Sequence, residues 1–335
     1  MPGVLRLAEL LGVHQTTVVE ALRELEKQGL LESRGPGRRR LIKIPADTRT
    51  GVSLRVGVVL HEPRDHLQAY IIKLGHQLHE AGHSTHFAGK SLVDIGMDER
   101  QLPAVVQASE VDAWVIVAGS REILEWFSRQ PAPAFALFGR MRRRSLAGSG
   151  PDKTAAYLAA TRRLLELGHR RIVYVTEAPE TYKNPGRLVG RFLDELEVAG
   201  IATGPYNVPD WEPSPAGLRR CLDALFARTP PTALLIDSPG LFAAAQQHLS
   251  RRGIHAPEQV SLICTDPHPH FEWCDPTIAH VQWDLDPIIR RAARWADNVA
   301  RGKKDQRKTL SKARFIDGGT VGPAPGTRRK PKAPE

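Results

Sequence analysis

Apolar positions near the start of the chain recur at helical spacing. Val4, Leu7, Ala8 and Leu11 predict a first helix that Gly12 ends. The polar stretch His14-Gln15-Thr16-Thr17 then opens a second helix, with Val18, Ala21, Leu22 and Leu25 on its inner face and Gly29 as its stop. Leu30 to Ser33, the turn Arg34-Gly35-Pro36-Gly37 and Arg38 to Ile44 predict a small basic hairpin. Residues 45–53 carry turn formers and no apolar period, which makes them a linker. Beyond them the pattern changes. Short β-branched runs at Leu54 to Leu60, Thr85 to Ala88, Ala113 to Ala118, Ala134 to Phe138, Arg171 to Thr176, Thr232 to Ile236 and Val260 to Cys264 alternate with amphipathic segments such as Ala155 to Leu167 and Leu188 to Ala199. Such alternation predicts an α/β fold of doubly wound parallel sheets with helices on both faces. Some 260 residues exceed one such sheet, so two similar lobes with a cleft between them are expected over 54–320. The Pro-rich, basic stretch 321–335 is expected to be a disordered tail.

The hairpin changes what the two helices imply. Helix, tight turn, second helix and basic wing is the order in which a protein presents the first turn of a helix to the DNA major groove. Arg6, His14, Gln15, Thr16 and Thr17 are the candidate DNA-contacting residues of the helices, and Arg38 and Arg39 are the candidate phosphate contacts of the wing. A net charge of +10 favours a polyanionic partner. The clustering of cations in the wing, at 140–144 and in the tail says more than the total. Segment 2–13, with Thr16 to Glu26 and Gly29-Leu30-Leu31, resembles the winged helix-turn-helix of GntR-type bacterial regulators. That family usually has Arg where this chain has Leu5, Gln15 and Val19, so those contacts do not carry over. The resemblance starts at the family's second helix. It implies a preceding helix over Val4, Leu7, Val18 and Leu22, from either an in-frame upstream segment or a covering partner.

A second resemblance spans residues 55–320. Ala160 to Ile172, Arg187 to Phe192, Ala199-Gly200-Ile201, Gly253 to Asp266 and Pro276-Thr277-Ile278 are similar, in order, to segments of LacI/GalR-type sensor domains. The pairing of heads and sensor resembles hybrid regulators of the arabinose-repressor kind. It implies a periplasmic-binding-protein-like fold that closes on a small molecule, and a dimeric repressor whose operator binding a sugar-like effector controls. Loops after the carboxyl ends of the strands are the ligand candidates on topology alone. Arg187 and Asp266 match ligand-contact positions and suit a polyol, because a guanidinium fork and a carboxylate orient several hydroxyls. Gln282 and Trp283 stand at the lobe crossover, where Trp283 is equally suited to core packing. His61, His66 and Tyr70 follow the first strand, Phe138 and Arg140 the fourth, and Asp237 occupies a position where the family often has a different pair.

Other chemistry is represented by two short motifs. His79-Glu80-Ala81-Gly82-His83 fits the HExxH pattern of zinc hydrolases, which needs both imidazoles on one continuous helical face. Gly82 is expected to end that helix and send His83 away, which leaves no catalytic residue, metal or cofactor in the expected set. Loose metal binding by His76, His79, His83 and His86 is the milder alternative. Gly89-Lys90-Ser91 lacks the glycine that a phosphate-binding loop requires at position 84. Three cysteines without metal spacing and no run near ~18 apolar residues point to a cytoplasmic protein rather than a membrane protein. A leaderless opening sets this expectation apart from a solute-binding protein without a DNA role.

Overall fold

The computed structural model describes residues 4–11, 13–27, 31–32, 41–42, 52–139, 145–176, 182–183 and 185–326. Arg38, Arg39 and Arg140, the linker residues 45–51 and the tail residues 327–335 lie outside them.

At the N-terminus, helices α1 (Val4–Leu11) and α2 (Gln15–Lys27) precede strands β1 (Leu31–Glu32) and β2 (Leu41–Ile42), which pair antiparallel. Ala8, Val18, Leu22 and Leu31 form a small buried core, and Val4 and Leu7 pack against it half-buried. Of the face expected to lie under a preceding helix or a covering partner, Val18 and Leu22 are buried by α1 and Leu31, and Val4 and Leu7 remain half-buried. Leu5 stays 65 % exposed.

The first large sheet has the order β12-β7-β6-β5-β3-β4, with all of its pairings parallel. Its strands are β3 (Arg55–Val59), β4 (Ser84–Phe87), β5 (Ala113–Val117), β6 (Ala134–Leu137), β7 (Ala147–Asp152) and β12 (Lys308–Lys312). Helices α3 (Ala69–Glu80) and α10 (Asp286–Ala300) cover one face through Leu74, Leu78, Ile288 and Trp295. On the other face lie α4 (Leu102–Gln107) and α5 (Arg121–Ser128), packed through Leu102, Ile123 and Phe127 around Trp114. Trp114 packs so closely on β3 that a Cβ at Gly57 would lie 2.6 Å from its ring, so only glycine fits there.

The second sheet has the order β13-β11-β10-β9-β8, built from β8 (Ile172–Val175), β9 (Ala233–Ile236), β10 (Ser261–Cys264), β11 (Ala279–Gln282) and the antiparallel edge strand β13 (Arg314–Ile316). Helices α6 (Thr154–Glu166) and α7 (Arg187–Val198) cover one face, and α8 (Pro215–Arg228) and α9 (Pro239–Arg251) the other. Strands buried on both faces read as continuous Val/Ile/Leu runs, as the parallel geometry requires.

The chain crosses between the lobes three times: after β7, after β11, and between β12 and β13, where Ala313 alone separates the two strands. Part of the segment expected in the tail is instead packed, with Gly322 and Ala324 buried. The imidazole of buried His169 bonds Gly322 O at 2.9 Å, and Ala324 N–H donates to Leu167 O at 2.9 Å and is only 4 % exposed. Composition hides this, because Gly322 and Ala324 pack within a Pro- and Gly-rich stretch whose prolines stay exposed.

Candidate functional site

The loops that follow the parallel strands converge between the lobes. At the end of β10, Asp266 accepts hydrogen bonds at Oδ1 from the Lys153 ammonium and, at 3.0 Å, from Trp283 Nε1. Lys153 stands where the chain first leaves β7 for α6. Asp152 fixes that turn by accepting from the Thr154 amide and hydroxyl. The two charged side chains are 17 % and 27 % exposed. Burial raises the Asp266 carboxyl above its ordinary range, with Asp237 adding to the rise, while Lys153 and the Trp283 indole pull it back. No group among the described residues bonds Asp266 Oδ2.

Trp283 joins the lobes. Its N–H reaches Asp266, while its ring packs on the first lobe, 5.6 Å from Phe138. Phe138 in turn meets Tyr70 edge-on at 5.2 Å. Burial and the neighbouring Asp65 push the Tyr70 hydroxyl well up. Phe138 follows β6 with a φ of 64° and Ala118 follows β5 with a φ of 49°. Two non-glycine residues in the left-handed region at adjacent strand ends mark backbone held in place by its surroundings, a feature concentrated at ligand sites. His61 ends β3. Its amide donates to Asp65 Oδ2 at 3.0 Å, and its buried Nδ1 has no partner among the described residues.

Asp237 is engaged in the second lobe's floor. It accepts from Tyr174 Oη at 3.1 Å, Thr176 Oγ1 at 3.0 Å and Thr265 Oγ1. Tyr157 extends the network to Tyr174 at 3.1 Å. Ser238 caps α9 and Pro239 opens it, which fixes Asp237 at the strand end. The Gln282 amide is engaged by the Trp283 carbonyl and by His280. Arg187 opens α7, exposed, with no hydrogen bond or ion pair among the described residues. His66 bonds the Pro63 carbonyl in an exposed turn after β3.

Asp266, Trp283, Phe138 and Tyr70 are thus brought together, whereas Asp237 and Gln282 are occupied by internal partners. Lys153, Tyr157 and Tyr174 escaped the sequence reading. Lys153 follows a strand of sequence Ala-Gly-Ser-Gly-Pro-Asp that carries no β-branched signal.

The HExxH segment divides as its glycine predicts. His79 is exposed in the last turn of α3; Gly82 (φ 89°) reverses the chain, and His83 is buried beyond it. His83 Nδ1 accepts the Leu54 amide at 3.2 Å and Nε2 faces Asp297 Oδ1 at 3.3 Å, so both ring nitrogens are in use. Among the described residues no three His, Cys, Asp or Glu side chains are placed to hold a metal ion.

In the N-terminal unit, Arg6, His14, Gln15, Thr16 and Thr17 are all exposed, and His14 Nδ1 lies 2.9 Å from Thr16 Oγ1.

Residues 161–321 match the model of the periplasmic binding protein-like domain. The HTH-type transcriptional regulator AscG of Escherichia coli is 25 % identical over 170 residues, half of each chain. The match thus spans about half the length of that curated relative, and matches to the repressor CytR of the same organism span 40 %. The crystal structure of the E. coli repressor ascG superposes with a TM-score of 0.63 at 18 % identity, covering 81 % of this chain and 100 % of the other. A CelR-cellobiose complex superposes with a TM-score of 0.64 at 20 % identity, covering 96 % and 100 %. Residues 161–321 are thus similar to a periplasmic binding protein-like domain, and the two-lobed α/β fold is the one these solved structures share.

Proposed function

We propose that the chain is a DNA-binding transcriptional regulator, a repressor and not an enzyme, whose operator binding is controlled by a sugar-like polyol held between the lobes. The observation that carries this reading is the Trp283 indole, which ties a carboxylate of one lobe to the aromatic wall of the other. An aromatic face beside a carboxylate with a spare oxygen matches a sugar, which offers both C–H faces and hydroxyls. His61 Nδ1 adds an unused polar atom at the same strand ends. Arg187 is free to supply the guanidinium, and Asp237 and Gln282 shape the floor beneath. Relatives named as transcriptional regulators and a structure named as a cellobiose complex support the same class.

The winged head reads DNA in this proposal. The exposed first turn of α2, with the antiparallel β1-β2 pair following it, supports a reading in which Gln15 and Thr16 would meet base edges with Arg6, His14 and Thr17 beside them. Arg38 and Arg39 would meet phosphates. A homodimer then reads two half-sites, and the protein works in the cytoplasm; no helix among the described residues is long and apolar enough to cross a membrane.

A thermal-shift screen of mono- and disaccharides, with cellobiose and ribose included, is the test. The sugar that binds is then titrated into Asp266→Asn and Arg187→Ala by calorimetry. Charged hydrogen bonds of about 1.5–3 kcal/mol each imply about tenfold weaker binding or more. Operator affinity without sugar should stay unchanged in both variants, and Gln15→Ala should lose operator preference over random DNA. Unaltered sugar affinity in both cleft variants would move the site elsewhere.

A further inference from the structure

A second concave site lies away from the cleft, on the first lobe. It is a recess of about 350 Å³ lined, among the described residues, by Arg291, Arg294, Asp297, Asn298, Arg301, Arg307 and Thr309. Residues 291, 294 and 298 follow one another at spacings of three and four, so α10 presents them on one face, and Arg301 caps its C-terminal end. The volume is in the range of small-molecule sites.

Two observations separate this recess from an ordinary basic surface. Its floor is a guanidinium taken out of water: Arg291 is 3 % exposed, lies 5.6 Å over the Phe135 ring, and donates through Nη2 alone, to Asp305 Oδ1 and the Arg307 carbonyl, each at 2.8 Å. Its Nε and Nη1 are buried without a partner among the described residues. Buried donors are almost always satisfied, so two on one guanidinium call for an acceptor. The second observation is that two of the three rim cations are uncommitted. Arg307 is bonded to Asp305, but Arg294 and Arg301 have no hydrogen bond or ion pair among the described residues. Arg301, the C-cap of α10, also complements the negative helix end, which accounts for one cation and not four. Asp297, engaged with His83, is the acidic lining group; Asp305 lies behind the floor with its oxygens taken by Arg291, Arg307 and Asn298.

We propose that this recess binds a small phosphate-bearing metabolite, so that the regulator answers to a second, anionic signal. Guanidinium forks match phosphate oxygens two at a time, and phosphate supplies the several acceptors that the floor and rim lack. The site is independent of the cleft reading, since it shares no residue with it.

The full-length protein is titrated by calorimetry with inorganic phosphate and with pyrophosphate, at ionic strength held constant with chloride. Saturable binding of one phosphate per chain is expected, pyrophosphate binding more tightly. The Arg294→Ala/Arg301→Ala double variant alters exposed rim positions and should keep its melting temperature in phosphate-free buffer while losing at least tenfold in affinity. Asp297→Asn should tighten binding about threefold by removing the acidic lining charge. Binding no different from that in chloride, or equal in the parent and the double variant, overturns the proposal. So does a double variant that weakens duplex DNA binding while neither protein binds phosphate, which would make the recess a DNA-backbone contact.

Discussion

Two carboxylates, Asp266 in the cleft, partly buried, and Asp305 behind the arginine recess, its side chain buried, are both placed against cations, and their chemistry diverges. Asp305 has side-chain donors on both oxygens, from Arg291, Arg307 and Asn298. Burial opposes its charge, but the hydrogen bonds from Arg307 and Asn298 and the Arg291 cation outweigh burial and hold the carboxyl well below its usual range. Asp266 has two donors on one oxygen, and there burial prevails over Lys153. A saturated carboxylate has no capacity left for a ligand and acts as structure. One with a free oxygen and an unrelieved burial penalty gains when hydroxyl donors arrive. At the recess the unsatisfied partner is the cation; at the cleft it is the anion. The two sites therefore select opposite chemistries.

The comparison breaks first at Asp305→Ala. Both members of the Arg291–Asp305 pair have side chains only 4 % exposed, so the change strands a buried guanidinium and should cost about 3–5 kcal/mol. Denaturant unfolding measures it, and a loss below ~1 kcal/mol would show that water already reaches Arg291. Lys153→Ala should cost less, about 2 kcal/mol, because its pair is more exposed. Adding Asp266→Asn should recover part of that loss, whereas purely additive losses would mean that the pair is uncoupled.

A finer contrast lies in pH. Asp305 has a lowered folded pKa, so its stabilisation is present above the ordinary carboxylate pKa and lost as pH falls through the folded value. The deficit of Asp305→Asn should therefore be full at neutral pH and shrink below about pH 4. Asp266 has a raised pKa, so its contribution is present at low pH and lost as pH rises through the folded value. Asp266→Asn should accordingly gain on the parent protein as pH rises from about 4 toward neutrality. Stability profiles of the two variants that slope the same way would remove the distinction. The smallest effect is expected for Trp283→Phe, which keeps a ring against Phe138 and deletes the indole donor. About 1 kcal/mol of stability and a severalfold loss of sugar affinity should follow, read by thermal unfolding and calorimetry.

Much of the lobed fold was legible because strands buried on both faces must be written in Val, Ile and Leu. All seven expected strands occur, with ends shifted by a residue or so. The misses have two causes. β12 and β13 are half-exposed or exposed edge strands with Lys and Arg, so burial never imposed an apolar pattern on them. β7 (Ala-Gly-Ser-Gly-Pro-Asp) and β11 (Ala-His-Val-Gln) are instead largely buried but carry too few β-branched residues to read as strands. Site residues were legible where they followed a legible strand, as Phe138 does β6 and Asp266 does β10. Lys153 was hidden behind β7. The Arg291 face was written in helical spacing, yet a charged helix face usually means solvent, and only the burial of Arg291 distinguishes it.

Ala313 is the narrowest of the three chain crossings, one residue tied to Asp152 by its amide at 3.2 Å. Before it, β12 is held in register by five residues of β7; after it, β13 is held by three of β11. Two bodies pinned this closely cannot slide apart, and the freedom left to them is rotation about a pivot near that residue. Ligand loops sit at the carboxyl ends of the strands, while the segment leading to the N-terminal unit enters at the amino end of β3. In the proposed regulator, a small angular change at the pivot would be carried along the length of the first sheet to Leu54, which would make the lobe a lever arm with its output end at the N-terminal unit.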